Sequence, residues 1–301
     1  MNKIKKLKKA QGMQFSWIFA LIIGGVILFF AIFFSGKLFQ LKTYEAEAEL
    51  TKNLDILLNP FTSISYAEVT LSKPISLAKK TEINFSCNSM DDLQTISTKI
   101  GKAESFSYNI RNKYIFSEDF NTKELWVFAK PFNMPWKVDD LIFVVSKDYC
   151  FVNPPEKIKN ELSNLNATLI KVVSDIRNCK QESAKVCFSG TCDIYVNTAS
   201  SYVKTKQGSF NFLDDSSMYA AIFGSKQYSC NLERLFKRLE IQTNIFLKKA
   251  DLLSARGCYE AEKIKPSLKK METAVKARDY MNIKTTAIEI ESNNPVLCPL
   301  Y

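Results

Sequence analysis

Residues Met13 to Gly36 contain no Asp, Glu, Lys or Arg. As an α-helix, a run of that length extends about 36 Å, enough to cross a hydrocarbon core of about 30 Å. A cleaved secretory signal has an apolar region of roughly 7 to 15 residues, so this run reads as a retained span. Five lysines precede it (Lys3, Lys5, Lys6, Lys8 and Lys9), and Glu45, Glu47 and Glu49 follow soon after. The positive-inside rule then puts the N-terminus in the cytoplasm and the remainder outside the cell membrane. The helical register continues through Leu38, Leu41, Ala48, Leu54 and Leu58 until Asn59-Pro60 stops it. The expected organisation is a basic head (1–12), a transmembrane helix (13–36) and an amphipathic stalk helix (37–59). A mixed α/β extracytoplasmic domain (60–215) and a helical section (216–301) follow. The expected fold class is α+β.

Charge was apportioned along this frame. The chain carries a net +10, with five lysines and no acid in residues 1–12. Residues 37–228 hold 23 basic and 22 acidic groups, and residues 229–301 hold 13 and 9. Lys outnumbers Arg 35 to 6, whereas base and phosphate reading favours Arg. Nucleic acid is therefore not an expected partner. The basic head is explained by orientation and anionic membrane lipid.

A family resemblance rests on the first residues. A Lys-rich head, then Ala10-Gln11-Gly12-Met13-Gln14-Phe15-Ser16, then an apolar helix, resembles the class III signal segment of archaeal type IV pilin-like proteins. In that family a peptidase cuts between head and helix, and the helix remains as membrane anchor or filament core. Ile18 stands where the family often has Glu. The resemblance covers some 25 residues and implies protein partners through the helix, and a homo-oligomer or filament. The same residues also fit an ordinary uncleaved anchor.

From residue 61 to about 212 the pattern is mixed. Alternation marks strands at Ala67–Ser72, Glu82–Ser86, Lys113–Ser117 and Leu125–Phe128. Leu141–Ser146 and Tyr149–Val152 flank Lys147-Asp148, an expected hairpin. Pro154-Pro155 opens a helix that leads to a strand at Leu169–Val173, giving a βαβ unit over 149–173. Further on, Leu232, Phe236, Leu239, Thr243, Phe246, Ala250 and Leu253 form a heptad seam that ends at Arg256-Gly257. Helices from near Pro266 (Leu268, Met271, Val275) and with Ile283, Ala287 and Ile290 complete an expected three-helix section.

Eight Cys suit a disulfide framework on the oxidising side of a membrane. Ser189-Gly190 as a two-residue turn puts Cys187 opposite Cys192. Cys258 ends one helix and Cys298 follows the third at the same end, which predicts a Cys258–Cys298 bridge. Cys230 should tie the helices to the α/β part. Three pairings of Cys87, Cys150, Cys179 and Cys230 stay open.

The chain has no His. That excludes Ser-His-Asp and Cys-His nucleophiles and any His-containing zinc site within it. Nine Gly and no glycine-rich phosphate loop argue against a dinucleotide cofactor. Ser-x-x-Lys occurs at Ser76–Lys79, Ser201–Lys204 and Ser267–Lys270, a pattern of little specificity among 35 Lys. Asp139-Asp140 and Asp214-Asp215 lack calcium-loop spacing, and Asp214–Ser217 reads as a helix cap. Asn84-Phe85-Ser86 and Asn166-Ala167-Thr168 have the form of glycosylation acceptors. In Pro131–Trp136, two prolines stiffen a loop carrying Phe132, Met134 and Trp136. Exposed, these would anchor a partner protein or glycan; tucked in, they are core. The expectation is a non-enzymatic, membrane-anchored binding or assembly protein without cofactor or metal. Two other readings are a histidine-free ectohydrolase, marked by a cleft with paired carboxylates or a Ser against a desolvated Lys, and an accessory subunit of a membrane complex.

Overall fold

The computed structural model describes residues 17–35, 37, 69–70, 74–101, 104–165, 167–295 and 298–301. The basic head, the Ala10–Ser16 segment, nearly all of the stalk and Asn166 lie outside them.

Helix α1, Trp17–Ser35, has 19 residues, a mean hydropathy of 2.8 and no buried share within the chain. It is a helix of the kind that anchors a protein in a membrane or serves as a signal sequence.

The remainder folds as two sheets and a set of helices. The first sheet has the order β4-β3-β2-β6-β7-β5. Its strands are β1 (Val69–Thr70), β2 (Ile75–Asn88), β3 (Leu93–Lys99), β4 (Phe106–Ile110), β5 (Tyr114–Phe116), β6 (Phe120–Asn133) and β7 (Lys137–Val145). β1 pairs with β6 off that path, and β5 runs parallel to β7. Leu125–Ala129 of β6 and Leu141–Val145 of β7 read as unbroken apolar runs because both faces are buried there. Trp126, Phe128, Phe132, Leu141, Phe143 and Val145 enter the main core. Leu125, Val127, Ala129, Ile142 and Val144 enter a second core with Ile83, Phe85, Ile96 and Ile110 from β2–β4. The sheet therefore curls over its own back face, and a register shift between Ser76 and Thr81 marks the bend in β2.

Gln94 closes that curl. Its Nε2 donates to the Ile115 carbonyl at 2.6 Å, and the Ile115 N–H donates to its Oε1 at 2.8 Å. One buried side chain thus takes the place of a strand on the open edge of β5. Asn231 Nδ2 also donates to the Ile115 carbonyl, at 2.9 Å. Gln94→Leu orphans the Ile115 N–H while Asn231 still serves the carbonyl. The expected loss is about 2 kcal/mol, read from the urea midpoint at unchanged m. A loss below about 0.5 kcal/mol would remove this role.

The second sheet has the order β13-β12-β11-β10-β8-β9. β8 (Tyr149–Val152), helix α2 (Glu156–Asn164) and β9 (Ile170–Val173) form the expected βαβ unit, with β8 and β9 parallel. β10 (Ala184–Cys187), β11 (Ile194–Asn197), β12 (Tyr202–Thr205) and β13 (Gly208–Asn211) complete it. Two expected hairpins are absent. β8 pairs with β9 and β10, not with β7, so Lys147-Asp148 carries the chain from one sheet to the other. β10 and β11 are parallel, with Val186 beside Ile194, because the loop between them doubles back before β11 begins.

The C-terminal section has four helices, not three: α3 (Asp215–Phe223), α4 (Ser225–Ala255), α5 (Glu260–Ala277) and α6 (Tyr280–Ser292). Met218 to Phe223 are all buried, which makes α3 the centre of the main core. Gly224 separates α3 from α4 where a Cβ would lie 2.6 Å from Ser117 N and 2.7 Å from Phe116 Cα. Only glycine lets these helices turn against β5 so closely. The heptad seam faces inward, with Leu232, Phe236, Leu239, Thr243 and Ala250 buried. α5 starts before Pro266, which sits inside it. Glu262, whose carbonyl Pro266 cannot serve, is exposed and meets solvent. Sheets and helices share one continuous core.

Candidate functional site

All eight Cys stand in four pairs. Cys87 on β2 joins Cys230 on α4, with Cα atoms 6.0 Å apart. Cys150 joins Cys179 at 5.7 Å, Cys187 joins Cys192 at 5.8 Å, and Cys258 joins Cys298 at 6.6 Å. The structure thus brings together both pairs named from the sequence. Cys187 and Cys192 meet across a tight loop rather than across the hairpin that suggested them.

The 131–136 loop is not a free anchor. Phe132 is 0%, Met134 6% and Trp136 4% exposed. Trp136 Nε1 donates to Gln242 Oε1 at 3.0 Å, and its ring centre lies 4.3 Å from that of Phe246. Tyr301 packs on the same indole at 5.6 Å. The loop faces α4, whose apolar side needs covering, so these side chains are core. The Met134-Pro135 bond is cis.

Ser267–Lys270 and Asp139-Asp140 resolve into structural contacts. Ser267 Oγ donates to Glu289 Oε1 at 2.7 Å, and Lys270 Nζ donates to Glu289 Oε2 at 3.1 Å, so this Ser and Lys share an acid rather than a proton. Asp139 pairs with Arg238 at 2.9 Å and Asp140 with Lys137 at 2.7 Å. Each carboxylate thus has a basic partner although burial raises its pKa, and no metal-holding cluster occurs among the described residues. Asn84 lies within β2, and its Nδ2 reaches Glu82 Oε1 at 3.4 Å.

Ser201 does meet a lysine, but Lys284 on α6 rather than Lys204. Lys284 Nζ donates to Ser201 Oγ at 2.8 Å. It lies 5.4 Å from the centre of the Phe212 ring. Burial lowers the Lys284 pKa, while Asp214 and Asp215 oppose that shift. A lysine whose pKa is lowered by burial thus stands within hydrogen-bond reach of a serine hydroxyl, the feature set out above as the mark of a histidine-free hydrolase. The contact ties α6 to the β11–β12 turn.

Asp214 is the N-cap of α3. It accepts from Ser217 N at 2.8 Å, and Ser217 Oγ receives the Asp214 N–H at 2.9 Å. Burial pushes its pKa from 3.8 to about 6, against the lowering hydrogen bonds from Ser217. The folded value lies above the unfolded one. Its contribution to stability is therefore complete below about pH 4 and lost as pH rises through about 6. The effect is on the order of 2 kcal/mol, allowing for solvent that reaches this residue. Asp214→Ser keeps a capping oxygen and does not titrate. The parent's stability relative to this variant should fall between pH 4 and 6.5. A constant difference would contradict the shift.

A concave surface among the described residues lies beside the Cys187–Cys192 loop. Two adjoining hollows of about 350 Å³ each share Asp193, Thr205 and Lys206. The first runs past Glu118, Lys147 and Glu182 to Ser225 at the start of α4. The second is lined by Thr191, Tyr195 and Lys204. Lys147 pairs with Glu118, and Asp193 Oδ2 accepts the Lys185 N–H at 3.0 Å. From the sequence, Lys204 enters only within Ser201–Lys204 and Cys192 only as a disulfide partner, and the two hollows are not foreseen. Their signal is the two-residue alternation in Ile194–Asn197 and Tyr202–Thr205, which buries Ile194, Val196 and Val203 and leaves Tyr195 and Lys204 on the outer face.

No protein family, curated protein or solved structure matches this chain.

Proposed function

We propose that this chain is a single-pass membrane protein with a cytoplasmic N-terminus, whose disulfide-tied outer domain acts by binding or assembly and not by catalysis. The carrying observation is the junction of two features: an apolar helix wholly exposed along its length and a domain with every cysteine paired. Such pairing persists on the oxidising side of a membrane. A binding role accords with Ser267 and Lys270, which share Glu289, and with Asp214, which caps α3; the Ser201–Lys284 pair is the observation that favours the hydrolase reading instead. The pilin-like form of this reading rests on the Lys-rich head, residues Ala10 to Ser16 and the apolar helix that follows them.

The test is purification of the native protein from membranes, with N-terminal sequencing and co-purifying chains read together. Filaments of chains that begin after the basic head support pilin-like assembly. A defined hetero-complex supports the accessory-subunit form. Recovery in the soluble fraction, or hydrolysis of ester or glycoside substrates that survives repurification, overturns the proposal.

A further inference from the structure

Tyr195, Lys204 and Lys206 form an unspent recognition surface on the second sheet. The parallel arrival of β11 beside β10 places Tyr195 directly opposite Lys204 of β12, and the β12–β13 turn adds Lys206. All three line one hollow of about 350 Å³, rimmed by the Cys192 end of the disulfide loop. That volume suits one or two sugar rings. Lys147, Lys157 and Lys180 each sit in an ion pair. Among the described residues, neither Lys204 nor Lys206 has an ion-pair partner. The one acid in the same hollow, Asp193, is engaged by the backbone N–H of Lys185. The Tyr195 ring is steadied edge-on by Tyr202, with centres 6.1 Å apart.

We propose that this hollow binds an acidic glycan. Two ammonium groups without carboxylate partners match the carboxylates of uronate sugars. The Tyr195 ring offers an apolar face to the C–H side of a pyranose, and Thr191 supplies a hydroxyl, while the Thr205 hydroxyl is taken up by Gln207. The disulfide loop and the paired strands hold these groups in place before binding, which limits the ordering cost. The proposal deepens the binding role given above and rests on the outer location of the domain.

The experiment uses the full chain in nanodiscs of zwitterionic lipid, with galacturonate oligomers as probe and neutral malto-oligomers and poly-glutamate as comparators. Galacturonate should bind, and malto-oligomers should not. Tyr195→Ala and the double change Lys204→Ala/Lys206→Ala should each weaken binding about tenfold or more. Tyr195→Phe should retain it. Lys269→Ala/Lys270→Ala, on exposed positions of α5, should leave it unchanged. Absence of galacturonate binding at low salt overturns the proposal. So does equal binding of poly-glutamate with no effect of Tyr195→Ala, or an equal loss in the α5 variant. A nanodisc exposes both membrane sides, so failure here leaves the orientation of the chain untouched.

Discussion

Replacing Cys87 and Cys230 together by Ser is expected to lower the stability of the disulfide-tied domain by about 5 kcal/mol. The bridge spans a sequence separation of 143 and joins β2 of the curled sheet to the long helix α4. Without it the unfolded chain gains the freedom of that entire loop, and the cost of closing a loop rises with its length. Domains are stable by roughly 5 to 15 kcal/mol, so this one loss removes much of the margin. The other bridges span 40, 29 and 5 residues. Their paired Ser substitutions should follow in that order of decreasing cost, with Cys187 and Cys192 least. Urea unfolding of the full chain in detergent reads the series. A loss below about 2 kcal/mol for the Cys87 and Cys230 variant would show that this bridge merely decorates a sheet and helix already held by packing.

Arg234→Met should cost about 3 kcal/mol, and Arg234→Lys should recover little of it. Arg234 is 1% exposed, a charged side chain enclosed in the domain. Its Nε donates to Asp92 Oδ1 at 2.7 Å. Its Nη1 donates to the Lys113 carbonyl at 3.0 Å and to Asn231 Oδ1 at 2.8 Å. The guanidinium lies 4.7 Å from the centre of the Tyr114 ring. One planar fork thus fastens α4 to the β2–β3 turn and to the segment entering β5. Asp92 is half-exposed at 52%, so solvent screens the charge pairing itself. The cost comes chiefly from leaving the Lys113 carbonyl and Asn231 without a donor, and from the lost stacking. Asp92→Asn should therefore cost under about 1 kcal/mol. If Asp92→Asn proved as damaging as Arg234→Met, the ion pair and not the buried hydrogen bonds would carry the energy.

Much of the helical architecture was legible from periodicity. The α4 seam from Leu232 to Leu253 and the inward positions of α5 and α6 follow from a 3.6-residue repeat, which a local pattern records fully. Gly257, with a φ of +96°, ends α4 where the sequence places it. Helix ends also fix which cysteines can meet, which is why Cys258 and Cys298 could be named and why Cys230 had to reach the sheet. The central helix α3 was hidden because residues 218–223 are apolar on every side and show no stripe. The break that isolates it depends on a steric contact of Gly224 with Phe116, a residue far off in the chain.

Strand pairing was less legible, because alternation gives the face of a strand but not its neighbour. Lys147-Asp148 and Ser189-Gly190 both have turn chemistry, yet one crosses between sheets and the other doubles back into a parallel pair. The 131–136 loop misled for a related reason. Prolines and large apolar residues describe a stiff apolar loop, but only α4 and Tyr301 decide whether that apolar surface meets solvent. The outer hollow was missed since lysines and a tyrosine on a short strand look like ordinary solvated surface until two strands align them.

The central claim is an outer domain held to a membrane by α1 with its head on the cytoplasmic side. Labelling intact cells with a membrane-impermeant amine reagent tests it most directly, with modified lysines mapped by mass spectrometry. Lys204, Lys269 and Lys270, all exposed, should be labelled on intact cells. Lys3, Lys5, Lys6, Lys8 and Lys9 should be labelled only after permeabilisation, or be missing where the head has been removed. Labelling of the head on intact cells, with Lys204, Lys269 and Lys270 reached only on lysis, would contradict the account.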